Sequence, residues 1–84
     1  MDIRRILAAN VVCLRRGLGL SQEALAWEAR VSRRYMARIE GGQTSTGIDV
    51  IAKLAAVLKV DPDELLRAPP RRQPKQRVAK ALKR

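Results

Sequence analysis

The sequence predicts an all-α fold, a compact five-helix bundle that is followed by a basic C-terminal tail. Apolar residues recur at spacings of three and four, which is the period of one helix face. Signals for a helix start occur at residues 21, 32, 46 and 61. No stretch shows the sustained apolar and polar alternation that indicates a strand. The expected helices cover residues 3–16, 22–29, 33–40, 47–59 and 62–67.

The first helix carries its apolar residues on one face and ends at two glycines, Gly17 and Gly19. The residues expected to face inward are Ile3, Leu7, Val11, Leu14 and Leu18. The arginine pair Arg4-Arg5 before the apolar run 6–14 loosely resembles a signal peptide. We reject that interpretation because Asn10 interrupts the run, no small-residue cleavage site follows, and nine residues are too few to span a bilayer.

Three helix starts repeat one arrangement. An apolar residue stands directly before the capping residue, and a second apolar residue lies five positions after the first. The three sets are Leu20-Ser21 with Leu25, Val31-Ser32 with Met36, and Val60-Asp61 with Leu65. Pro62 in the first helical position and Glu64 strengthen the start at Asp61. Thr46 with Asp49 predicts a further capping box at the start of the fourth helix.

The third helix is bounded by Ser32 as its N-cap and by the Gly41-Gly42 pair at its end. At about 100° per residue, Met36 and Ile39 form its inner face, and Tyr35 and Glu40 lie at the edges. The outward residues are Arg33, Arg34, Ala37 and Arg38. Three cations on the outer face of one short helix require an anionic partner or free solvent.

Only Arg30, Val31 and Ser32 separate the second and third helices. A connection this short forces a sharp angle, which is the helix-turn-helix unit, with Ala26 where the two helices cross. The alternative is an ordinary five-helix bundle whose arginines form a solvated face. We favour the first interpretation because surface helices usually interleave Glu with Arg, whereas residues 33–38 contain no acid.

The positive charge of the chain is concentrated at its C-terminus. The 84 residues include 18 basic and 8 acidic side chains, for a net charge of +10. Seven of the basic residues and none of the acidic ones lie in residues 71–84. This balance indicates a polyanionic partner, nucleic acid first and an anionic membrane second. We divide the chain into one domain, residues 1–68, and a basic, flexible tail, residues 69–84.

The composition offers few groups that could catalyse a reaction. The chain has no histidine and one cysteine, Cys13, which excludes an internal disulfide and the usual zinc sites. It also has no glycine-rich phosphate loop, so we expect no enzyme activity, cofactor, metal or small-molecule ligand. A reducing, cytoplasmic setting fits, with Cys13 as an inert packed hydrophobe.

Several short motifs occur together, in register, between Gly17 and Leu66. They are Ser21-Gln22-Glu23 with Leu25-Ala26, then Ser32, then Ile39-Glu40 with Gly42, then Leu54-Ala55, Leu58, Val60 and Asp63-Glu64-Leu65. Together they resemble the Cro/repressor-type helix-turn-helix domain, also called the XRE family, which implies a lambda-repressor-like fold. Within that family, Asn10-Val11, Leu14-Arg15 and Arg33 with Tyr35-Met36 are most similar to the controller proteins of restriction–modification systems.

Three positions depart from the family pattern. Arg30 stands where the family usually has a turn glycine, so either an arginine adopts a positive φ there or the turn differs. Ala29 replaces a larger aliphatic residue and leaves space that the flexible Met36 can fill. Thr44 lies where some controller proteins have a basic residue, so that contact is not carried over.

The third helix is expected to read double-stranded DNA in the major groove, where an arginine fork can bond O6 and N7 of guanine together. Arg34 and Arg38 are the first choices for base contacts. Arg33 can contact a base or a phosphate, and Ala37 can touch a thymine methyl group.

Phosphate contacts are expected on either side of this helix. The resemblance implies one from Gln22, at the start of the second helix, where backbone N–H groups and the helix dipole favour an anion. The segment ahead of the fourth helix offers further candidates, Gln43, Thr44, Ser45 and Thr46. A role in capping the fourth helix would also explain the hydroxyl groups of Thr44, Ser45 and Thr46. Tyr35 has two interpretations, core packing or a hydroxyl bond to phosphate.

The remaining site residues are given structural roles. The resemblance implies that Arg15 and Glu40 face each other, so we predict an ion pair that orients the first helix against the end of the third. Trp27 lies on the side of its helix away from Leu25, and we favour half-buried packing over contact with a base or a partner.

A homodimer is expected, because one recognition helix covers few base pairs and related domains bind two half-sites as a symmetric pair. On the fourth helix, Ile51, Leu54, Ala55 and Leu58 can fill the core. Val50, Val57 and Leu66 are then the candidates for the interface, and the alternative is that they are scattered surface residues.

The expected function is sequence-specific, autoregulatory transcription control at inverted-repeat operators. The alternative is an antitoxin-like or protein-interaction module that uses the same domain to bind a partner protein. RNA is less favoured, since only Trp27 and Tyr35 can stack on bases. For the tail we favour nonspecific phosphate contacts over docking of Val78 and Leu82 on the domain or weak membrane-surface affinity.

Overall fold

A computed structural model describes residues 2–68, which form five α-helices and no strands. The helices are α1 (Ile3–Gly17), α2 (Gln22–Ala29), α3 (Arg33–Glu40), α4 (Ile48–Leu58) and α5 (Pro62–Leu65). All five expected helices are present, so the all-α prediction is confirmed. The proposed roles of the tail, including docking of Val78 and Leu82, fall on residues 69–84 and lie outside the described part of the chain.

Short polar side chains determine where the helices begin. The Ser21 hydroxyl accepts the N–H of Ala24 at 2.9 Å, and the Ser32 hydroxyl accepts the N–H of Tyr35 at 3.0 Å. At the start of α5 the backbone N–H of Asp61 donates to Glu64 Oε2 at 2.8 Å. Each bond satisfies a backbone donor that the helix end would otherwise leave unpaired, which explains why these starts were predictable.

The start of α4 differs from the expectation. Gly47 is its N-cap, with φ −64° and ψ 149°, and no side chain caps the helix. The predicted capping box of Thr46 with Asp49 is therefore wrong, because the helix begins one residue later than that pairing requires. The Thr46 hydroxyl oxygen is buried and has no hydrogen-bond partner among residues 2–68.

One hydrophobic core joins all five helices. α3 packs against α1 and α2, α4 connects α2 to α5, and α1 also contacts α4 and α5. The fully buried side chains include Leu25 and Met36 from the first two of the three staples, and each such side chain stabilises the fold by about 1.5–3 kcal/mol. The others of this set are Val11, Ile39, Leu54 and Leu65.

The inward face of α1 is shorter than the periodicity predicts. Leu7 and Val11 are buried and Leu14 is half-buried, whereas Ile3 is 46% and Leu18 is 44% exposed. These two residues lie at opposite ends of the helix, where the apolar stripe continues past the core.

Asn10 has a structural role that the apolar pattern did not indicate. Its amide nitrogen is buried and donates to the carbonyl oxygens of Leu65 at 2.8 Å and Arg67 at 2.9 Å, with a longer contact of 3.3 Å to that of Glu64. These carbonyls lie at the end of α5, where the helix itself supplies no partners. Asn10 therefore fastens the last helix to the first.

Candidate nucleic-acid interface

The outer face of α3 is strongly basic. Arg33, Arg34, Ala37 and Arg38 are all exposed. None of these three arginines has a carboxylate partner within the described residues. On the opposite face, Met36 and Ile39 are at most 1% exposed. The helix is thus fixed by its apolar side and presents free guanidinium groups to solvent.

The turn before α3 sets its angle to α2. Arg30 adopts φ 60° and ψ 43°, the left-handed conformation that the sequence left as one of two possibilities. The N–H of Val31 then donates to the carbonyl of Ala26 at 3.0 Å, and Ala26 itself is buried at the crossing of the two helices. A larger side chain at Ala26 would force these helices apart.

A shallow cleft at α3 brings several candidate contacts together. Ser32, Arg34, Tyr35, Arg38 and Thr44 line it, so Thr44 lies beside two of the predicted base-contacting residues. Tyr35 is half-buried and packs against the core while it also borders the cleft. Its two interpretations are therefore compatible, because the ring can pack while the hydroxyl group faces the cleft.

A polar network braces α3 from behind. The Arg15 guanidinium donates to Glu40 through Nε at 2.7 Å and through a second nitrogen at 3.1 Å, which is the ion pair predicted from the sequence. Both side chains are largely buried, with 12% and 6% exposure. The network extends further than expected. Arg15 also donates to the carbonyl of Leu20 at 2.9 Å, and Gln22 Nε2 donates to Glu40 Oε1 at 3.0 Å.

The phosphate candidates divide into two groups. Gln43, Thr44 and Ser45 are exposed or half-exposed, and Gln22 at the start of α2 is half-exposed and keeps a second amide hydrogen beyond its bond to Glu40. These remain predictions. The Thr46 hydroxyl oxygen is buried without a partner among residues 2–68, so a phosphate contact there would require the side chain to turn, and this contact also stays a prediction.

Two expectations about exposure are wrong. Trp27 is 81% exposed rather than half-buried, because no other helix within residues 2–68 covers that side of α2. Cys13 is exposed rather than packed, and it lines a groove between α1 and the end of α3, together with Ala9, Val12 and Gly41. Helical periodicity gives the direction of a side chain but not whether another element covers it.

Two of the three residues proposed for the dimer surface also pack against the core of their own chain. Val50 and Val57 are half-buried and pack against it, whereas Leu66 is 38% exposed. Ile48 at the start of α4 is 81% exposed and lies outside the predicted interface set. The interface residues stay a prediction.

Comparison with known proteins identifies the family. The family model described as a helix-turn-helix domain matches residues 6–68, which is most of the chain. The chain belongs to this helix-turn-helix family. Its function class is DNA-binding transcription regulation, and the resemblance found in the sequence is confirmed.

Individual helix-turn-helix proteins are similar over most of the domain. A Neisseria meningitidis hypothetical transcription factor is 35% identical over 71 residues, 84% of this chain and 67% of that protein, and its crystal structure superposes with a TM-score of 0.79. An uncharacterized HTH-type transcriptional regulator of Sinorhizobium fredii, y4dJ, is 32% identical over 79% of this chain and 86% of its own length.

The likeness to controller proteins is also found. Control protein C.BamHI of Bacillus amyloliquefaciens is 40% identical over 56% of this chain and 58% of its own length. The restriction-modification controller protein C.AhdI of Aeromonas hydrophila is 35% identical, with a TM-score of 0.71 over 74% of this chain and 94% of that protein. These names describe regulators rather than enzymes. In the described part of this chain, no helix has the length and apolar character needed to span a membrane.

Proposed function

We propose that this helix-turn-helix protein is a sequence-specific regulator that binds inverted-repeat operators as a homodimer and controls its own gene. The observation that carries the proposal is the outer face of α3, where Arg33, Arg34 and Arg38 are exposed without a carboxylate partner in residues 2–68. The likeness to proteins named as controllers supports this kind of regulation.

Base recognition depends on how rigidly the arginines are held. A guanidinium group that bonds O6 and N7 of guanine discriminates against other bases by roughly 1–3 kcal/mol. That gain requires α3 to keep one orientation on DNA. The staple at Met36 and the bonds from Arg15 and Gln22 to Glu40 supply this rigidity, because they connect α3 to both α1 and α2.

Phosphate contacts would hold the helix in register with the groove. The N-terminus of α2 and the segment 43–45 flank α3, and the cleft places Thr44 next to Arg34 and Arg38. Backbone N–H groups at a helix start favour an anion, and such contacts position a protein without reading sequence. Arg33, on the first turn of α3, can serve either purpose.

Dimerisation would place two such helices on successive major grooves, about 34 Å apart. The surface around α4 and α5 provides the apolar residues for this contact, and Ile48 adds to the original candidates Val50, Val57 and Leu66. A symmetric dimer predicts inverted half-sites in the operator.

The proposal is tested by footprinting on DNA upstream of the chain's own gene, followed by measurement of the specificity ratio. This ratio is the affinity for the protected site divided by that for scrambled duplex. We expect a pair of inverted half-sites. In the double variant Arg34→Ala/Arg38→Ala the ratio should fall at least about tenfold, since two bidentate contacts are lost.

A charge-matched control is the double variant Arg4→Ala/Arg16→Ala, which removes two exposed arginines of α1. It should weaken binding to both duplexes alike and leave the ratio unchanged, because nonspecific attraction depends on net charge. A second variant, Arg34→Lys/Arg38→Lys, keeps the charge but loses the planar fork, so the ratio should fall here too. An original ratio in both α3 variants would refute base readout by these residues.

A further inference from the structure

Trp27 lies on an uncovered surface of the domain. It is the only tryptophan of the chain, and 81% of it is exposed. Tryptophan is highly buried on average in folded proteins. Its position on α2, outside the core, therefore indicates a surface that lacks its partner in residues 2–68.

The surroundings of Trp27 are acidic. Glu23 lies four residues earlier, and so on the same face of α2, while Glu28 lines a cleft together with Trp27. Neither carboxylate has an ion-pair or hydrogen-bond partner within the described residues, and α2 contains no basic residue. Arg30 also lines the cleft. We call Glu23, Trp27 and Glu28 the α2 surface.

The chain itself contains a segment of complementary chemistry. Residues 71–84 hold seven basic and no acidic side chains, together with Val78 and Leu82. A cation over the face of an indole ring and a cation beside a carboxylate are both favourable contacts. An extended segment of 16 residues reaches about 50 Å. That exceeds the 43 Å long dimension of the described domain.

We propose that the C-terminal segment 71–84 docks on the α2 surface of its own chain. Its basic side chains pair with Glu23 and Glu28 and cover the Trp27 ring, and Val78 and Leu82 supply apolar contact. DNA competes for the same cations, so binding of a polyanion releases the segment from α2. While the segment is docked on the α2 surface, the nonspecific attraction of the protein for DNA is lower.

The acidic residues of α5 are a poorer site for this segment. Asp63 already pairs with Arg67 at 2.7 Å, and Glu64 accepts the Asp61 N–H. No exposed aromatic side chain lies on α5. Only the α2 surface combines unpaired carboxylates with a ring among the described residues.

The single tryptophan reports directly on the proposal. Acrylamide quenching of Trp27 fluorescence in the full chain should be low in dilute buffer. It should rise about twofold near 1 M salt, where the Debye length shrinks to about 3 Å and the segment is released. Addition of duplex DNA at low salt should produce the same rise. An indole that is already fully quenchable at low salt would overturn the proposal.

Matched variants separate docking on α2 from general electrostatics. Glu23→Gln/Glu28→Gln and Val78→Ser/Leu82→Ser should each make Trp27 fully quenchable at low salt. Asp49→Asn/Asp63→Asn, which removes two exposed carboxylates elsewhere, should leave it protected. Circular dichroism checks that each variant is folded. Protection that increases with protein concentration would also overturn the proposal, because it would place another molecule on Trp27.

Discussion

α2 and α3 are two helices of the same construction with opposite surfaces. Each has eight residues, a serine N-cap and a fully buried apolar residue from its staple, Leu25 or Met36. The exposed charges of α2 are Glu23 and Glu28, whereas those of α3 are all arginines. The acid of α3, Glu40, is removed from the surface by its pair with Arg15. Similar capping and staple residues thus form both helices, and the two differ only in the side chains that they present to solvent.

The largest effect on the packing of α2 and α3 is expected from removal of the buried carboxylate of Glu40. Glu40→Gln should lower the free energy of unfolding by about 3 kcal/mol, because Arg15 would remain as an uncompensated buried charge. The change is measured by urea unfolding followed by circular dichroism. Because Gln22 also donates to Glu40, the substitution should make the angle between α2 and α3 less fixed. DNA affinity should fall as a result.

The control for this variant is Asp63→Asn. Its ion pair with Arg67 has the same N–O distance of 2.7 Å but side chains that are 66% and 71% exposed. We expect a loss below about 1 kcal/mol, as for other surface pairs. Equal losses in the two variants would contradict the importance of burial.

A smaller effect tests whether the two helices really share one kind of start. Ser21→Ala and Ser32→Ala should each cost about 1 kcal/mol of folding free energy, because each removes a hydroxyl that caps a backbone N–H. Ser45→Ala, at an exposed position without a cap bond, should be neutral. Clearly unequal losses from the two caps would show that tertiary packing, not capping, fixes one of the starts.

The smallest effect concerns the residue that joins the pair. Arg30→Gly should stabilise the domain by about 0.5 kcal/mol, since glycine adopts a positive φ without strain but loses more freedom on folding. Arg30→Ala keeps the strain and should give no gain, which separates conformation from loss of charge. Thermal unfolding of the three proteins under one buffer condition measures the difference. A stabilised alanine variant would argue against the strain.

Sequence alone was most informative where structure depends on neighbours in the chain. The starts of α2, α3 and α5 follow from caps a few residues long, and the outward arginines of α3 follow from helical period. The fourth helix shows the limit, because Thr46 and Gly47 are adjacent possible caps and the structure uses Gly47, which has no side chain to signal it.

Features that depend on distant parts of the chain were harder to predict. Trp27 and Val57 both face away from their helix's main buried residues, yet only the valine is covered by another element. The polar partners of Asn10 lie more than 50 residues away and are backbone carbonyls, which carry no side-chain signal. The Arg15 pair was found only because the family resemblance placed it opposite Glu40.

The bonds of Asn10 also impose an order on synthesis of the protein. During translation the amide leaves the ribosome with α1, but its acceptors follow only with residues 64–67. A four-residue helix such as α5 has no stability of its own. The nascent domain therefore closes only after nearly all of its residues have emerged, and fragments that stop before Glu64 leave the buried amide of Asn10 without any of its carbonyl acceptors.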